Sequence, residues 1–238
     1  MQNLGQTRSA HRADHLLVTP DTFVRAPLPG MVNVTAIVHA SPAVGAKFTQ
    51  YTAEFEEGGS LGPTDAQRFI YVIEGDLAAG GHLGPGEFVY VPAGMPLPVR
   101  AESPSRAAVI EKTFQPLAGE AAPEFFRGDE GGIASKPLTH DPDVQVQFLM
   151  PEGSRFDFAV NVMTFQPGAT LPMVEIHVME HGLLMLAGGG IYRLNDHWYS
   201  VTAGDFIWMA PYCPQWFGAL GKIPAKYLIY KDFNRHPL

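Results

Sequence analysis

The feature that most constrains this 238-residue chain is a pattern that occurs in it twice. The first copy reads RFIYVIEGDL at 68–77 and GPGEFVYVPAGMPLPV at 84–99; the second reads HGLLMLAGGGIYRL at 181–194 and TAGDFIWMAPYCPQWF at 202–217. Each copy runs from a short apolar stretch to a glycine turn (Gly75; Gly188 to Gly190), through a Gly-acid-aromatic step, to an apolar stretch ending near a proline turn. FTQYTAEF at 48–55, FVYVP at 88–92, VNVMTF at 160–165 and FIWMAP at 206–211 are short, rich in β-branched and aromatic residues, and bounded by Gly or Pro, so they read as strands. Gly 25 and Pro 21 are spread between apolar runs, as a turn-dense β protein requires. The expectation is an all-β chain of two tandem barrels, each of about 100 residues and able to bury its own core. Residues 1–115 form the first and 138–238 the second. Between them 116–137, rich in Gly, Ala, Pro and charge without a strand period, is a linker. The residues up to about Leu16 either stay disordered or lend a strand to the other barrel.

Charge and cysteine content narrow the function. A formal net charge of −8 with no Lys/Arg cluster argues against nucleic acid or an anionic membrane as partner and leaves a small molecule. Cys213 is the single cysteine, so packing alone must hold the fold, as is usual in a reducing cytoplasm. The N-terminus lacks an apolar signal core, and no stretch reaches the roughly 18 apolar residues of a membrane span. A soluble cytoplasmic protein is expected.

The chemistry concentrates in LPMVEIHVMEHG at 171–182. On a strand, residues i and i+2 share a face, so Glu175 and His177 can point together into a barrel while Ile176 points out. His181 opens the next strand, and Gln215, in CPQW of the far hairpin, is placed to complete the group. Burying a carboxylate and two imidazoles costs several kcal/mol unless something pairs with them, and a cation is the simplest partner. Two imidazoles, a carboxylate and an amide oxygen suit Mn²⁺, Fe²⁺ or Zn²⁺ rather than a thiolate zinc site. The first copy is an internal control: aligned on the repeat, Arg68 stands at His181, Thr64 at His177, Gly62 at Glu175 and Leu97 at Gln215, so one metal per chain is expected. Tyr192 is either a packed hairpin aromatic or a substrate contact. Tyr227, Ile229 and Lys231 share a strand face, where Lys231 either meets a substrate carboxylate or sits exposed beside Asp232. Glu180 and Asp196 are expected at the surface, and Met173, Met179 and Met185 as packing around the cavity.

Glu-x-His-x-x-x-His-Gly, then GIYRLNDHWYSVTAGDFIWMAPYCPQW, then KYLIYKDFNR, resembles the bicupin (S)-ureidoglycine aminohydrolases of allantoin and purine catabolism. The resemblance spans both halves and is densest from about 158 to 236. Cupins with metal more often carry His-x-His, a later Glu and a final His; Glu first and Gln last is the narrower pattern. It implies two cupin (jelly-roll) barrels, a homo-oligomer, and one Mn²⁺ on Glu175, His177, His181 and Gln215. It also implies substrate contacts at Tyr192, Tyr227 and Lys231; Glu175, as candidate base, and Lys231, holding the substrate carboxylate, are the expected catalytic residues. A metal-cupin dioxygenase of small acids and a non-catalytic small-molecule-binding cupin are the alternatives.

Overall fold

The computed structural model describes residues 6–235, nearly all of whose regular structure is strand. The chain separates into two compact units, one of residues 24–133 with 152–157, the other of residues up to 23, 134–151 and 158 onward.

In the first unit the long strand Thr49–Leu61 is the spine, paired with Met31–Ala40 on one side and Val99–Ala101 and Ser105–Lys112 on the other. Gln67–Glu74 continues the sheet between Ser105–Lys112 and Glu87–Val91. Alternate residues of these strands, among them Tyr51, Ala53, Ile70, Val72, Val89 and Val109, close one core.

The second unit faces a large sheet against a small one. The large sheet runs Ala10–His11, His15–Val18, Phe206–Met209, His181–Ala187, Ala225–Asp232, Phe158–Phe165, Asp141–Phe148, Lys136–Leu138; the small one runs His197–Thr202, Gly189–Leu194, Gln215–Ala219. Leu183, Ile207 and Ile229 from the large sheet and Tyr192, Leu194 and Phe217 from the small one share a core, with the Phe165 and Phe217 rings edge to face at 5.0 Å. Two jelly-roll barrels in tandem is the fold class the repeat predicts.

Backbone geometry explains the repeated motif. Gly75 (φ 75°) and Gly188 (φ 63°) take the left-handed turn at equivalent places, where a Cβ would lie 2.8 Å from the Cα of Ser105 and of Ala225 respectively. In the Gly-acid-aromatic step the acid closes its own turn: Glu87 accepts from the Gly84 N–H at 2.5 Å, and Asp205 from the Thr202 N–H at 2.9 Å, the same three-residue offset. Gly190 serves close approach, since a Cβ there would lie 2.1 Å from the Gly218 carbonyl oxygen of the next strand. Gly190→Ala is therefore expected to lower stability by about 1–3 kcal/mol as the strands part, read as a drop in Tm; an unchanged Tm would contradict this tight pairing.

The domain limits differ from the sequence reading. Residues 6–23 belong with the second barrel: His15–Val18 pairs with Phe206–Met209, Leu17 is fully buried in that core, and the Arg8 guanidinium ion-pairs with Asp205, bonding Oδ1 at 2.9 Å. The expected linker carries two strands, Phe126–Asp129 on Glu87–Val91 and Lys136–Leu138 on Asp141–Phe148. Residues 152–157 return to the first unit, where buried Asp157 bonds the Lys112 ammonium at 2.9 Å and the Gln67 amide. Edge strands and a single buried carboxylate decide these memberships, and neither has a periodic signal.

Candidate metal centre

The segment carrying Glu175 and His177 is irregular, which corrects the expectation of a strand. What holds it is one β-bridge: the Glu175 N–H donates to the Gln215 carbonyl at 2.8 Å and the Gln215 N–H to the Glu175 carbonyl at 2.9 Å. Residues bridged this way carry their side chains on the same face, so the first and last members of the predicted set meet. The Tyr212 N–H bonds the His177 carbonyl at 2.7 Å, and His177 Nε2 lies 3.1 Å from Glu175 Oε2. Ile176 is 59% exposed, pointing outward as expected. His181 opens its strand, with its ring 5.1 Å from that of His177 and its backbone opposite Lys231. Gln215 starts the strand Gln215–Ala219, and its Oε1 accepts from the Tyr192 hydroxyl at 2.8 Å.

The electrostatics follow from burial. His181 is held well below the usual imidazole range, by burial first and then by the Lys231 and His177 charges, so it is a neutral imidazole. Its Nδ1 is buried without a hydrogen-bond partner. Burial raises the Tyr192 and Tyr227 hydroxyls well above the phenol range, keeping them protonated donors, and the Glu175 carboxylate adds to this in both. Lys231 is lowered by burial and partly restored by Glu175. Four side chains, His177, Tyr192, Tyr227 and Lys231, thus lie within the influence of the Glu175 carboxylate.

A carboxylate, two imidazoles and an amide oxygen, one imidazole neutral with a buried unpaired nitrogen, form a donor set that fits a divalent cation. The Tyr192 hydroxyl bonded to Gln215 Oε1 leaves that amide oxygen a second lone pair and fixes its direction. Tyr192→Phe is expected to weaken metal binding about 10-fold or more, read by titrating metal-stripped protein; unchanged affinity would show that the hydroxyl does not orient Gln215.

Another group was not foreseen. Ligand atoms of Asp14, His15 and Cys213 lie within 4.8 Å of one another. Their bonds are already made: His15 Nδ1 meets Asp14 at 2.8 Å, His15 Nε2 meets the Tyr199 hydroxyl at 2.8 Å, and Asp14 Oδ2 accepts from the Asn195 amide at 2.7 Å. Burial pushes the Cys213 thiol up to about 12, so it stays protonated rather than becoming a ligand thiolate. These bonds fasten the N-terminal segment to the hairpin that carries Asn195 and Tyr199. Two further expectations are corrected. Glu180 is buried, 1% exposed, and accepts from the Trp208 indole N–H at 2.9 Å; Met173 is 65% exposed, whereas Met185 is core.

The chain is similar to known proteins over nearly its whole length. Residues 161–230 match the family model described as Cupin domain. The chain is 38% identical to the (S)-ureidoglycine aminohydrolase of Arabidopsis thaliana, over 98% of this chain and 80% of that protein. It is 30% identical to the (S)-ureidoglycine aminohydrolase of Escherichia coli, over 92% and 88%. Among solved structures, a glyoxylate-induced protein of Pseudomonas aeruginosa superimposes with a TM-score of 0.89 at 31% identity, covering 100% of this chain and 95% of the other.

Proposed function

We propose that this chain, which belongs to the (S)-ureidoglycine aminohydrolase family, converts (S)-ureidoglycine and water into (S)-ureidoglycolate and ammonia. Glu175, His177, His181 and Gln215 hold one divalent metal, Mn²⁺, with Fe²⁺ and Zn²⁺ as competing occupants of the same donors. The observation that carries this reading is the buried, unpartnered His181 nitrogen beside a carboxylate, a second imidazole and an oriented amide. The metal supplies a Lewis acid for the substrate's polar groups.

The protein's own groups have distinct tasks. The Lys231 ammonium, half-buried across the strand pair from His181, holds the substrate carboxylate as a point charge. The protonated Tyr227 hydroxyl orients the ureido group, while Tyr192, committed to Gln215, acts by positioning that residue. The Glu175 carboxylate takes a proton from the attacking water, and the amine leaves as ammonia once protonated. Fixing one face of the reacting carbon against Lys231 and Tyr227 selects the product's hand. The setting is purine breakdown in the cytoplasm, with the protein as a homo-oligomer. Among the described residues, no helix is long and apolar enough to cross a membrane.

The test is ammonia release from freshly made (S)-ureidoglycine, with an oxygen electrode in the same vessel. Release faster than spontaneous decay without oxygen uptake supports the reading. Oxygen consumption, or no acceleration, would point to a different cupin reaction.

A further inference from the structure

We propose that the N-terminal barrel contains a second, metal-free binding site for a small neutral amide or ureido group, at the position that the metal donors occupy in the C-terminal barrel. The proposal does not depend on the reaction above.

The repeat defines that position. Arg68 stands in the first copy where His181 stands in the second, and each faces an ionisable residue of the neighbouring strand: Arg68 pairs with Glu111, His181 with Lys231. Gly62 and Thr64 occupy the places of Glu175 and His177. A cavity of about 100 Å³ is lined by Gly62, Thr64, Arg68 and Glu111, together with Tyr51 and Met31. The cavity is rimmed by the exposed Pro29 and Pro63.

The cavity's polar groups are arranged unusually. A guanidinium and a carboxylate commonly meet fork to fork, with one N–H on each oxygen. Here Arg68 Nε and Nη2 both lie 2.7 Å from the same oxygen, Glu111 Oε1, which also accepts from the Tyr51 hydroxyl at 3.0 Å. Arg68 Nη1 donates to the Gly62 carbonyl at 3.0 Å. Among the described residues no donor meets Glu111 Oε2, and the Arg68 Nη atoms keep N–H groups beyond those bonds. Arg68 is 7% and Tyr51 1% exposed, so these two are built into the wall, while the Glu111 side chain, 21% exposed, opens its free oxygen toward the cavity mouth.

Charge and size then select the ligand class. The ion pair is neutral as a whole, so an added anion meets Glu111 and an added cation meets Arg68, each with repulsion in a partly desolvated space. An amide or urea presents a carbonyl acceptor beside N–H donors: the carbonyl can take the spare guanidinium N–H while its own N–H serves Oε2. A cavity of about 100 Å³ holds several waters or one small group of about four or five heavy atoms. A residue pair serving only to pack this barrel end would fill it.

The experiment uses full-length His177→Ala protein stripped of metal; because Tyr227 and Lys231 remain in the C-terminal barrel, binding is assigned to the N-terminal barrel by the Arg68 and Glu111 variants below. N-methylurea and acetamide are the probes, acetate and methylammonium the controls, followed by calorimetry and saturation-transfer NMR. The expected result is one saturable site per chain for the neutral probes, with Kd on the order of millimolar as befits so few atoms, and at least about 10-fold weaker binding of both controls. Glu111→Gln, which keeps the shape but leaves Arg68 uncompensated, should weaken N-methylurea about 10-fold and strengthen acetate; Arg68→Met should abolish binding. No saturable binding of the neutral probes, equal binding of acetate, or N-methylurea binding unchanged by Glu111→Gln would each overturn the proposal.

Discussion

Replacing Glu175 by Gln is expected to leave the fold intact and lower kcat for (S)-ureidoglycine by about 10²–10⁴-fold. The fold should survive because Glu175 is anchored through its backbone bridge to Gln215, at 2.8 and 2.9 Å, and its side chain is 25% exposed. The amide oxygen of Gln can still accept from His177 Nε2. What it cannot do is carry a negative charge or take up a proton, and those are the two properties assigned to Glu175. Metal content measured beside turnover tells them apart: lost metal marks the ligand role, retained metal with lost turnover the proton acceptor. Near-normal turnover would sink both.

Replacing Lys231 by Met is expected to lower kcat/KM by about 10- to 100-fold, mostly through KM, because it removes one charge-assisted bond to the substrate carboxylate. Stability should move the other way or not at all. Burial already disfavours this ammonium, as the lowered pKa shows, and a methionine of similar length carries no such penalty. A variant that binds substrate worse while melting no earlier separates function from packing, and Lys231→Arg, which keeps the charge, should recover part of the loss. An unchanged KM would mean that Lys231 does not meet the carboxylate.

The parts of the molecule readable in the sequence are those with a local physical signature. Gly75, Gly188 and the Gly-acid steps mark left-handed turns and self-closing carboxylates, and they recur where the fold recurs. Glu175, His177, His181 and Gln215 stand out because polar groups in apolar runs need a reason. The i, i+2 argument reached the right neighbours by the wrong geometry, since a single bridge and not a strand aligns Glu175 with Gln215. What stayed hidden depends on distant partners. HLLV at 15–18 could pair with any open sheet edge, and only the Arg8–Asp205 ion pair and the contacts of Asp14 and His15 assign it to the second barrel. Glu180 looks like a surface acid until the Trp208 indole N–H, 28 residues away, is found on its carboxylate.

The most direct test strips the protein of metal, reloads it with Mn²⁺ in measured equivalents, and follows the amount and chirality of ureidoglycolate formed from (S)-ureidoglycine. The predicted result is that activity rises to a plateau at one Mn²⁺ per chain, that the product is the S enantiomer, and that His177→Ala stays at the spontaneous rate throughout. Full activity in the stripped protein, or a metal-loaded protein no faster than spontaneous decay, would contradict a metal-dependent aminohydrolase centred on Glu175, His177, His181 and Gln215.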